Sequence, residues 1–416
     1  MLKGRHVSAP SSYRHIQNFI SLWQLKTQMA NDKPFTAIDD LNLFTADMIF
    51  AAALGIEESE SNMHQYLQSL QGFKCTTEDE LAHFPHFEPD PLLQSILTLA
   101  LAIGKSPTAP SQKLYWMFAN RLSANRKAQA DRKRILQEHI DRAQRRYEPG
   151  QTRCHAAVDY MVQREMKAAE KEYRTPVLNT PQFHDMLFGY CMGGQDTTHS
   201  VLSFMMKQLS RNQDAQRKLR DSLWDEHQNA RQELRNPSQE EIVRAQVPYL
   251  DAFLEEVLRL DSPAPVIIKQ TLADTVILDR LIPKGTQIFF PLWGPSIDEP
   301  AFAVNENSRS ESSQKHVHDT PNDWTSSKYP GADFHPERWL QDGAFNSKAG
   351  PFLTFSTGNR DCWGKRLAYL QLKLVTTLLI WNFEFLSVPE SMSGREAVDI
   401  LNAKPRTCVV RLRNLQ

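Results

Sequence analysis

One cysteine, Cys362, lies in a segment whose residue types leave the backbone few conformations. The segment PFLTFSTGNRDCWGKRLAYLQLKL, residues 351–374, places it between an aromatic run and an amphipathic helical pattern. Gly358 precedes the cysteine and Gly364 follows it. Glycine allows a backbone to turn tightly or to approach a flat ligand closely, because it has no Cβ. The segment therefore predicts a tight turn that presents one thiol at the start of a helix.

A thiol in this position can be kept ionised. Free backbone N–H groups and the helix dipole both favour a negative sulfur at a helix N-terminus. One thiolate can be the only protein ligand of a haem iron, where it favours cleavage of the O–O bond. Arg360 is then placed to pair with a haem propionate, and Phe355 to limit access of water to the sulfur. The alternative is a buried cysteine in an ordinary glycine turn.

Composition excludes several other classes of protein. The chain has 416 residues and five cysteines, at positions 75, 154, 191, 362 and 408, with no CxxC pair. This spacing favours neither a disulfide framework nor a zinc site. A net charge of −1 gives no electrostatic reason to expect nucleic-acid binding. No apolar run approaches the roughly 20 residues of a membrane span.

Hydrophobic periodicity predicts a mainly α-helical chain with a small β-sheet. Helical spacing of apolar residues dominates the first two-thirds, and residues 184–212 form a long helix pattern interrupted by Gly193 and Gly194. β-branched and aromatic residues over 265–277 and 285–293 predict strands.

Three other segments have their own predictions. The sequence CVVRLRNL, residues 408–415, predicts a last strand. The polar segment at about 303–327 predicts a mobile surface insertion. The basic helix near 126–146 carries both charge signs and is interpreted as a solvated face, although a nucleic-acid or scaffold role stays open as an alternative.

Three further motifs accompany the cysteine segment. Glu256 and Arg259 are three residues apart, so they lie on one helix face and can pair. The sequence PERW contains Arg338 shortly before the cysteine segment. The sequence GGQDTT, residues 193–198, puts two glycines, an acid and two alcohols inside an apolar helix, which predicts a local opening of that helix.

Together these motifs resemble the cytochrome P450 family. Phe355, Gly358, Arg360, Cys362 and Gly364 match its pattern F-x-x-G-x-R-x-C-x-G. The resemblance implies that Cys362 is the axial ligand of the haem iron, that the other four residues and Lys269 bind the cofactor, and that Lys269 stands where arginine or histidine is frequent. It also implies a structural triad of Glu256, Arg259 and Arg338.

The resemblance further implies an activity. Thr197 is expected to hydrogen-bond dioxygen and its water, and Asp196 to pass protons, in a monooxygenase that inserts one oxygen atom into a hydrophobic organic substrate. Secondary metabolism or the oxidation of lipids or xenobiotics is the expected setting. The implied cofactor is haem b, iron protoporphyrin IX. Electrons are expected from NADPH through a cytochrome reductase docking near Lys365 and Arg366, with cytochrome b5 as a possible second partner.

The family resemblance also sets expectations for the chain as a whole. Residues 1–416 are expected to form one cytochrome P450 domain that corresponds to the C-terminal part of the family fold, with the membrane anchor and first strands absent. A full-length parent is expected on the cytosolic face of the endoplasmic reticulum. Two alternatives stay open: a non-catalytic family member that binds haem poorly, and a haem-thiolate isomerase or peroxygenase.

Overall fold

The computed structural model describes residues 4–78, 80–148, 154–319, 321, 323–326, 328–394, 396–399 and 402–415. Helices dominate this part of the chain and small sheets accompany them, as the sequence predicts. The α-helices are α1 Gly4–Ala30, α2 Ile38–Leu54, α3 Asn62–Ser69, α4 Pro91–Lys105, α5 Gln112–Ala119, α6 Ser123–Arg146, α7 Ala157–Lys171, α8 Pro181–Arg211, α9 Gln213–Glu226, α10 Gln228–Gln232, α11 Gln239–Arg244, α12 Pro248–Leu260, α13 Pro295–Asp298, α14 Glu311–Asp319, α15 Lys365–Asn382 and α16 Glu390–Ser393.

The strands form one larger sheet and several hairpin-like pairs. They are β1 Phe35–Thr36, β2 Thr76–Glu78, β3 Leu81–His83, β4 Val266–Gln270, β5 Thr275–Ile277, β6 Arg280–Ile282, β7 Gln287–Pro291, β8 Leu340–Gln341, β9 Ala344–Phe345, β10 Phe383–Leu386, β11 Ala397–Asp399, β12 Ala403–Pro405 and β13 Val409–Asn414. The larger sheet has the order β10-β13-β1-β3-β2, in which only β1 and β3 run parallel. The smaller antiparallel pairs are β4–β7, β5–β6, β8–β9 and β11–β12.

Helix α8 is the longest element and organises the core. It begins where the Thr180 side chain accepts a hydrogen bond from the N–H of Phe183, with Pro181 at its first position, a combination that favours helix initiation. Helix α2 packs along α8, and α1 packs on α15. One core cluster includes residues of these helices and of the larger sheet. Within it, Phe19 of α1 stacks on Phe44 of α2 with ring centroids 4.1 Å apart, and Trp23 of α1 meets Phe35 of β1 edge-on at 6.0 Å.

The expected interruption of α8 at Gly193 and Gly194 is not present. Helix α8 continues from Pro181 to Arg211. A Cβ on Gly194 would lie 2.3 Å from Cδ1 of Ile49 on α2, whereas a Cβ on Gly193 would meet nothing within 4 Å. Gly194 therefore allows close packing of two helices, a tertiary constraint that the local sequence does not display.

The polar segment at about 303–327 contains more structure than its composition predicts. Helix α14 and a 3₁₀ turn, Glu306–Ser308, lie within it. Trp324 is only 4% exposed and packs against Trp339, with ring centroids 4.7 Å apart. The segment is thus tied to the core near its C-terminal end through one indole ring.

Among the described residues, no helix is both long enough and apolar enough to cross a membrane.

Candidate functional site

The cysteine segment forms the tight turn that the sequence predicts. Gly358 has φ of +82°, in the left-handed region, and opens a 3₁₀ turn, Gly358–Arg360. The N–H of Cys362 donates to the carbonyl oxygen of Phe355 at 2.8 Å, which closes the loop. Helix α15 begins at Lys365, immediately after Gly364. The thiol therefore stands at the N-terminus of an 18-residue helix.

The thiol of Cys362 is exposed, in contrast to the structural cysteines of this chain. Cys191 and Cys408 are buried, and burial raises the pKa of the Cys408 thiol to about 12. The Cys362 sulfur lies over Gly364. A Cβ built on that glycine would be in van der Waals contact with the sulfur atom, at 3.8 Å. This geometry disfavours the alternative of an inert core cysteine and leaves the sulfur free to bind a ligand.

Two cationic residues accompany the thiol. Lys269 on β4 donates from Nζ to the carbonyl oxygen of Thr357 at 2.9 Å, so the strand reaches the cysteine segment directly. Arg360 is exposed within the turn. A Cβ on Gly358 would meet nothing within 4 Å, so this side of the turn is open. An exposed sulfur, an open side and two cations fit a haem with its iron and acidic propionates.

The aromatic residues of the segment connect it to neighbouring helices. Trp363 is 69% exposed and meets Tyr190 of α8 edge-on, with ring centroids 5.6 Å apart. Phe355 lies 5.1 Å from the ring of Tyr369 on α15. The cysteine segment is therefore held between α8 and α15.

Glu256, Arg259 and Arg338 meet in one buried cluster. Arg259 donates to both carboxylate oxygens of Glu256, from Nε to Oε2 at 2.8 Å and from an Nη to Oε1 at 2.9 Å. Arg338 Nε donates to Glu256 Oε1 at 2.9 Å. The side chains of Glu256 and Arg259 have no solvent exposure, so this is not the weak surface pair that an isolated i,i+3 spacing commonly forms.

The cluster extends beyond the three residues that the sequence indicates. The indole Nε1 of Trp339 donates to Glu256 Oε2 at 2.9 Å, and the backbone N–H of His335 donates to Oε1 at 2.8 Å. Arg259 also donates to the carbonyl oxygen of Gly331 at 2.8 Å. Burial lowers the pKa of Arg338, and the neighbouring carboxylate of Glu256 opposes that effect. Helix α12 is thus fastened to the chain segment that leads into the cysteine turn.

The side chains of Asp196 and Thr197 form hydrogen bonds with different partners. Thr197 Oγ1 donates to the carbonyl oxygen of Gly193 at 2.7 Å, one turn earlier in α8. Asp196 is 3% exposed, and its carboxylate accepts from Lys404 and Asn402, which lie at the β11–β12 hairpin. Sequence reasoning missed Lys404 and Asn402, because nothing in their local pattern marks them as neighbours of α8.

The sequence analysis also did not indicate a hydrogen-bonded pair, Tyr369 and Glu255, that lies next to the cysteine turn. Tyr369 donates from its hydroxyl to Glu255 Oε1 at 2.6 Å. Burial raises the pKa of Glu255 to about 7, and the hydrogen bond from Tyr369 opposes this effect. Lys365 lies over the rings of Phe355 and Tyr369, which links this pair to the cysteine turn.

Two cavities among the described residues lie away from the cysteine segment. One has a volume of about 780 Å³ and is bounded by α4, α5, α6 and α8. The second, about 340 Å³, lies between α2, α4 and α6. Phe188 of α8 lines the first cavity. Val266 and Ile268 on β4, which border neither cavity, are 36% and 53% exposed.

The sequence matches a known protein family over most of its length. The profile of the cytochrome P450 family matches residues 14–306 and 318–406. Three curated proteins from fungi are similar over nearly the whole chain. The cytochrome P450 monooxygenase GME11363 of Pestalotiopsis microspora is 32% identical over 99% of this chain and 73% of its own length. The cytochrome P450 monooxygenase TRI13 of Fusarium sporotrichioides is 30% identical over 98% of this chain and 74% of its own length. The cytochrome P450 monooxygenase xilC of Penicillium crustosum is 31% identical over 99% of this chain and 72% of its own length.

Solved structures show the same fold. The crystal structure of the cytochrome P450 CYP102L1 superposes with a TM-score of 0.65 at 17% identity, over 98% of this chain and 74% of that one. The haem domain of cytochrome P450DA superposes with a TM-score of 0.65 at 16% identity, over 99% of this chain and 77% of that domain. At this level of identity, the likeness concerns the fold alone.

Proposed function

Because the chain belongs to the cytochrome P450 family and is a haem-thiolate monooxygenase of that family, we propose that Cys362 supplies the axial thiolate. The observation that carries this proposal is the exposed thiol over Gly364 at the start of α15. Backbone N–H groups at a helix N-terminus favour the ionised sulfur. The N–H of Cys362 is itself bonded to Phe355, which fixes the turn around the ligand.

The family uses a haem iron and electrons from a redox partner. We propose that the haem is haem b, and that Arg360 and Lys269 hold its propionates on the open side of Gly358. When bound, the haem supplies the redox chemistry by which one oxygen atom of dioxygen enters the substrate and the other leaves as water. Lysine at position 269 keeps a positive charge but lacks the bidentate fork of arginine.

The polar residues of α8 are proposed to handle protons. Thr197 Oγ1 donates to Gly193 and retains lone pairs that can accept a hydrogen bond from water. Asp196 is proposed to deliver protons toward this hydroxyl. Its carboxylate is buried and bonded to Lys404 and Asn402, so these two residues are proposed to orient it.

The substrate is proposed to be a hydrophobic small molecule of secondary metabolism. Support comes from the similarity to monooxygenases of three fungi. The reductase is proposed to be NADPH-dependent and to dock where Lys365 and Arg366 are exposed at the start of α15. Cytochrome b5 is proposed as a second electron donor, and the cytosolic face of the endoplasmic reticulum as the location of the protein.

The test is spectroscopic. The haem-loaded chain, reduced and treated with CO, is expected to show a thiolate-type Soret band that Cys362→Ser removes together with oxygenation of substrate. Cys75→Ser is the matched control, because Cys75 is also partly accessible but lies outside the cysteine segment. A thiolate-type band that persists in Cys362→Ser contradicts the assignment.

A further inference from the structure

Glu255 on α12 connects to the cysteine turn, residues 355–364, through two aromatic side chains. Its Oε1 accepts a hydrogen bond from the hydroxyl of Tyr369 at 2.6 Å. The ring centre of Tyr369 lies 5.1 Å from that of Phe355, and the carbonyl oxygen of Phe355 accepts from the N–H of Cys362 at 2.8 Å. A titratable carboxylate is therefore fixed close to the turn that presents the thiol.

The second oxygen of this carboxylate lacks a partner. Oε2 of Glu255 is buried and makes no hydrogen bond within the described part of the chain. An ionised carboxylate needs its oxygens solvated or hydrogen-bonded, whereas a protonated carboxyl group has no charge to compensate. The geometry therefore favours a proton on Oε2, in agreement with the burial that raises the pKa of Glu255. The residue as a whole is half-buried, so protons from water reach it.

The charged groups that face Glu255 oppose one another. Lys365 of α15 favours the ionised carboxylate, and Asp251, one turn earlier on α12, disfavours it. Lys373 of α15 lies near Asp251 and donates to the carbonyl oxygen of Ala245 at 2.6 Å. Neither sign of charge therefore dominates around this carboxylate.

Two further sets of charged groups near α12 are already paired. Glu256 accepts from Arg259 and Arg338. Lys218 of α9, which packs on α12, pairs with Glu337. Glu255 is thus left to respond to a charge that changes on the side of the cysteine turn.

An electron that enters the haem site adds one negative charge on that side. A negative charge raises the proton affinity of a nearby carboxylate. Because the coupling is reciprocal, the bound proton favours uptake of the electron by the same free energy. Water and salt screen this coupling less at a partly buried group than at an exposed one.

We propose, on the premise that Cys362 binds the haem iron, that Glu255 takes up one proton when the protein accepts its first electron. The electron comes from the redox partner that the family uses, and the proton comes from water. The new bond is an O–H bond at Oε2, so the net charge of the region does not change. Glu255 acts through its charge as a positioning residue, and Tyr369 sets the pH at which it responds. Electron uptake then becomes easier as the pH falls.

The test measures the midpoint potential of the haem-loaded chain between about pH 6 and pH 9, by spectroelectrochemistry without substrate. We expect the potential to fall by about 59 mV between two plateaus as the pH rises, which for one electron corresponds to a tenfold higher proton affinity in the reduced protein. Glu255→Gln removes the titrating group but keeps an oxygen for the hydroxyl of Tyr369, so the step should be absent. A reduced-minus-oxidised infrared spectrum at the middle of the step should gain a protonated carboxyl band, which Glu255→Gln removes.

Tyr369→Phe tests the direction of the shift. It removes the hydrogen bond that favours the ionised form but keeps the ring against Phe355. The pKa of Glu255 should rise, so the step should move to higher pH with the same height. A purely structural role of the pair would lower the melting temperature and leave the step at its original pH.

The matched control is Glu240→Gln on α11, a helix that also packs against α15. It removes a carboxylate whose side chain is 75% exposed, so the step should keep its height and its pH. The proposal is overturned by a potential that does not depend on pH in the parent, by a step that persists in Glu255→Gln or stays at the same pH in Tyr369→Phe, or by its loss in Glu240→Gln. The thiolate-type CO band of each sample is recorded separately, so a failure of Cys362 to bind the haem iron is recognised by itself.

Discussion

The carboxylate of Asp196, in the middle of α8, is ion-paired with Lys404 on β12. The two residues are 208 positions apart in the chain. Asp196 is 3% exposed, so its carboxylate depends on protein partners in place of water. The C-terminal hairpin and the helix that carries Thr197 are therefore coupled through one buried charge.

Removing Lys404 should leave that charge uncompensated. Lys404→Met is expected to lower the free energy of unfolding by about 3 kcal/mol. Adding Asp196→Asn to this variant should recover part of the loss, since no buried charge then remains. Urea unfolding of the two single variants and the double variant measures the coupling. Arg406, two positions after Lys404, forms an exposed ion pair with Glu396. Arg406→Met breaks this pair and should lower the free energy of unfolding by less than about 1 kcal/mol.

Replacing Gly193 or Gly194 of α8 with alanine should change the free energy of unfolding in opposite directions. Gly193→Ala is expected to stabilise by up to about 1 kcal/mol, because alanine favours a helix and the new Cβ meets open space. Gly194→Ala is expected to destabilise by about 1–3 kcal/mol, because its Cβ would collide with Ile49. Thermal unfolding of both variants checks this difference.

A second variant identifies the cause of the Gly194 effect. Ile49→Ala removes both atoms that a Cβ on Gly194 would approach closely, Cδ1 and Cγ1. The double variant should therefore be more stable than the sum of the two single losses predicts. Strict additivity would exclude Ile49 as the source of the strain.

The buried charge cluster should be far more sensitive than a surface pair of the same spacing. Arg259→Met leaves Glu256 buried without its bidentate partner, which is expected to cost about 3–5 kcal/mol. Arg217 and Asp214 form an i,i+3 pair that is 66% and 77% exposed, and Arg217→Met should cost under about 1 kcal/mol. Equal losses in the two variants, measured by urea unfolding, would contradict the buried geometry.

Glu255 should make stability depend on pH in the direction opposite to most carboxylates. Burial raises its pKa from 4.5 to about 7, so the native state favours the protonated form. This contribution is complete below about pH 4.5 and is lost as the pH rises to about 7. Between pH 5 and pH 8, the parent should lose about 3 kcal/mol relative to Glu255→Gln.

The measurement is a set of urea unfolding curves at both pH values. Glu255→Gln keeps an oxygen that can accept the hydrogen bond from Tyr369. Glu240→Gln, at a side chain that is 75% exposed, should follow the parent at each pH. A parallel pH dependence in all three proteins would exclude Glu255 as the titrating group.

Local sequence was sufficient to predict the structure where residues close together in the chain determine it. Gly358, Cys362 and Gly364 specify a tight turn leading into a helix, and that turn is present. The sequence also indicated that Glu256 and Arg259 share one helix face. It did not indicate that both are fully buried, which depends on packing against Trp339 and residues 331–335.

Tertiary packing explains what the sequence did not reveal. Gly194 looked like a break in a helix, but its smallness accommodates Ile49 from α2, a residue remote in sequence. Trp324 stands in a polar segment that its composition predicts to be at the surface, although the indole ring is buried. The partner of Asp196 comes from a distant hairpin. In each case, the contact that determines the structure joins residues too far apart in the sequence for a local hydrophobic pattern to show it.

The order of strands in the larger sheet has a consequence for protein synthesis. β13 lies between β10 and β1, and Arg411 of β13 donates a hydrogen bond to Asp32, 379 residues earlier. At about 5–20 residues per second, a ribosome needs roughly 20–80 s to reach β13 after β1. During that interval Phe35 has no strand to cover it on one edge. A nascent chain therefore presents this apolar strand to chaperones for most of the time that its synthesis takes.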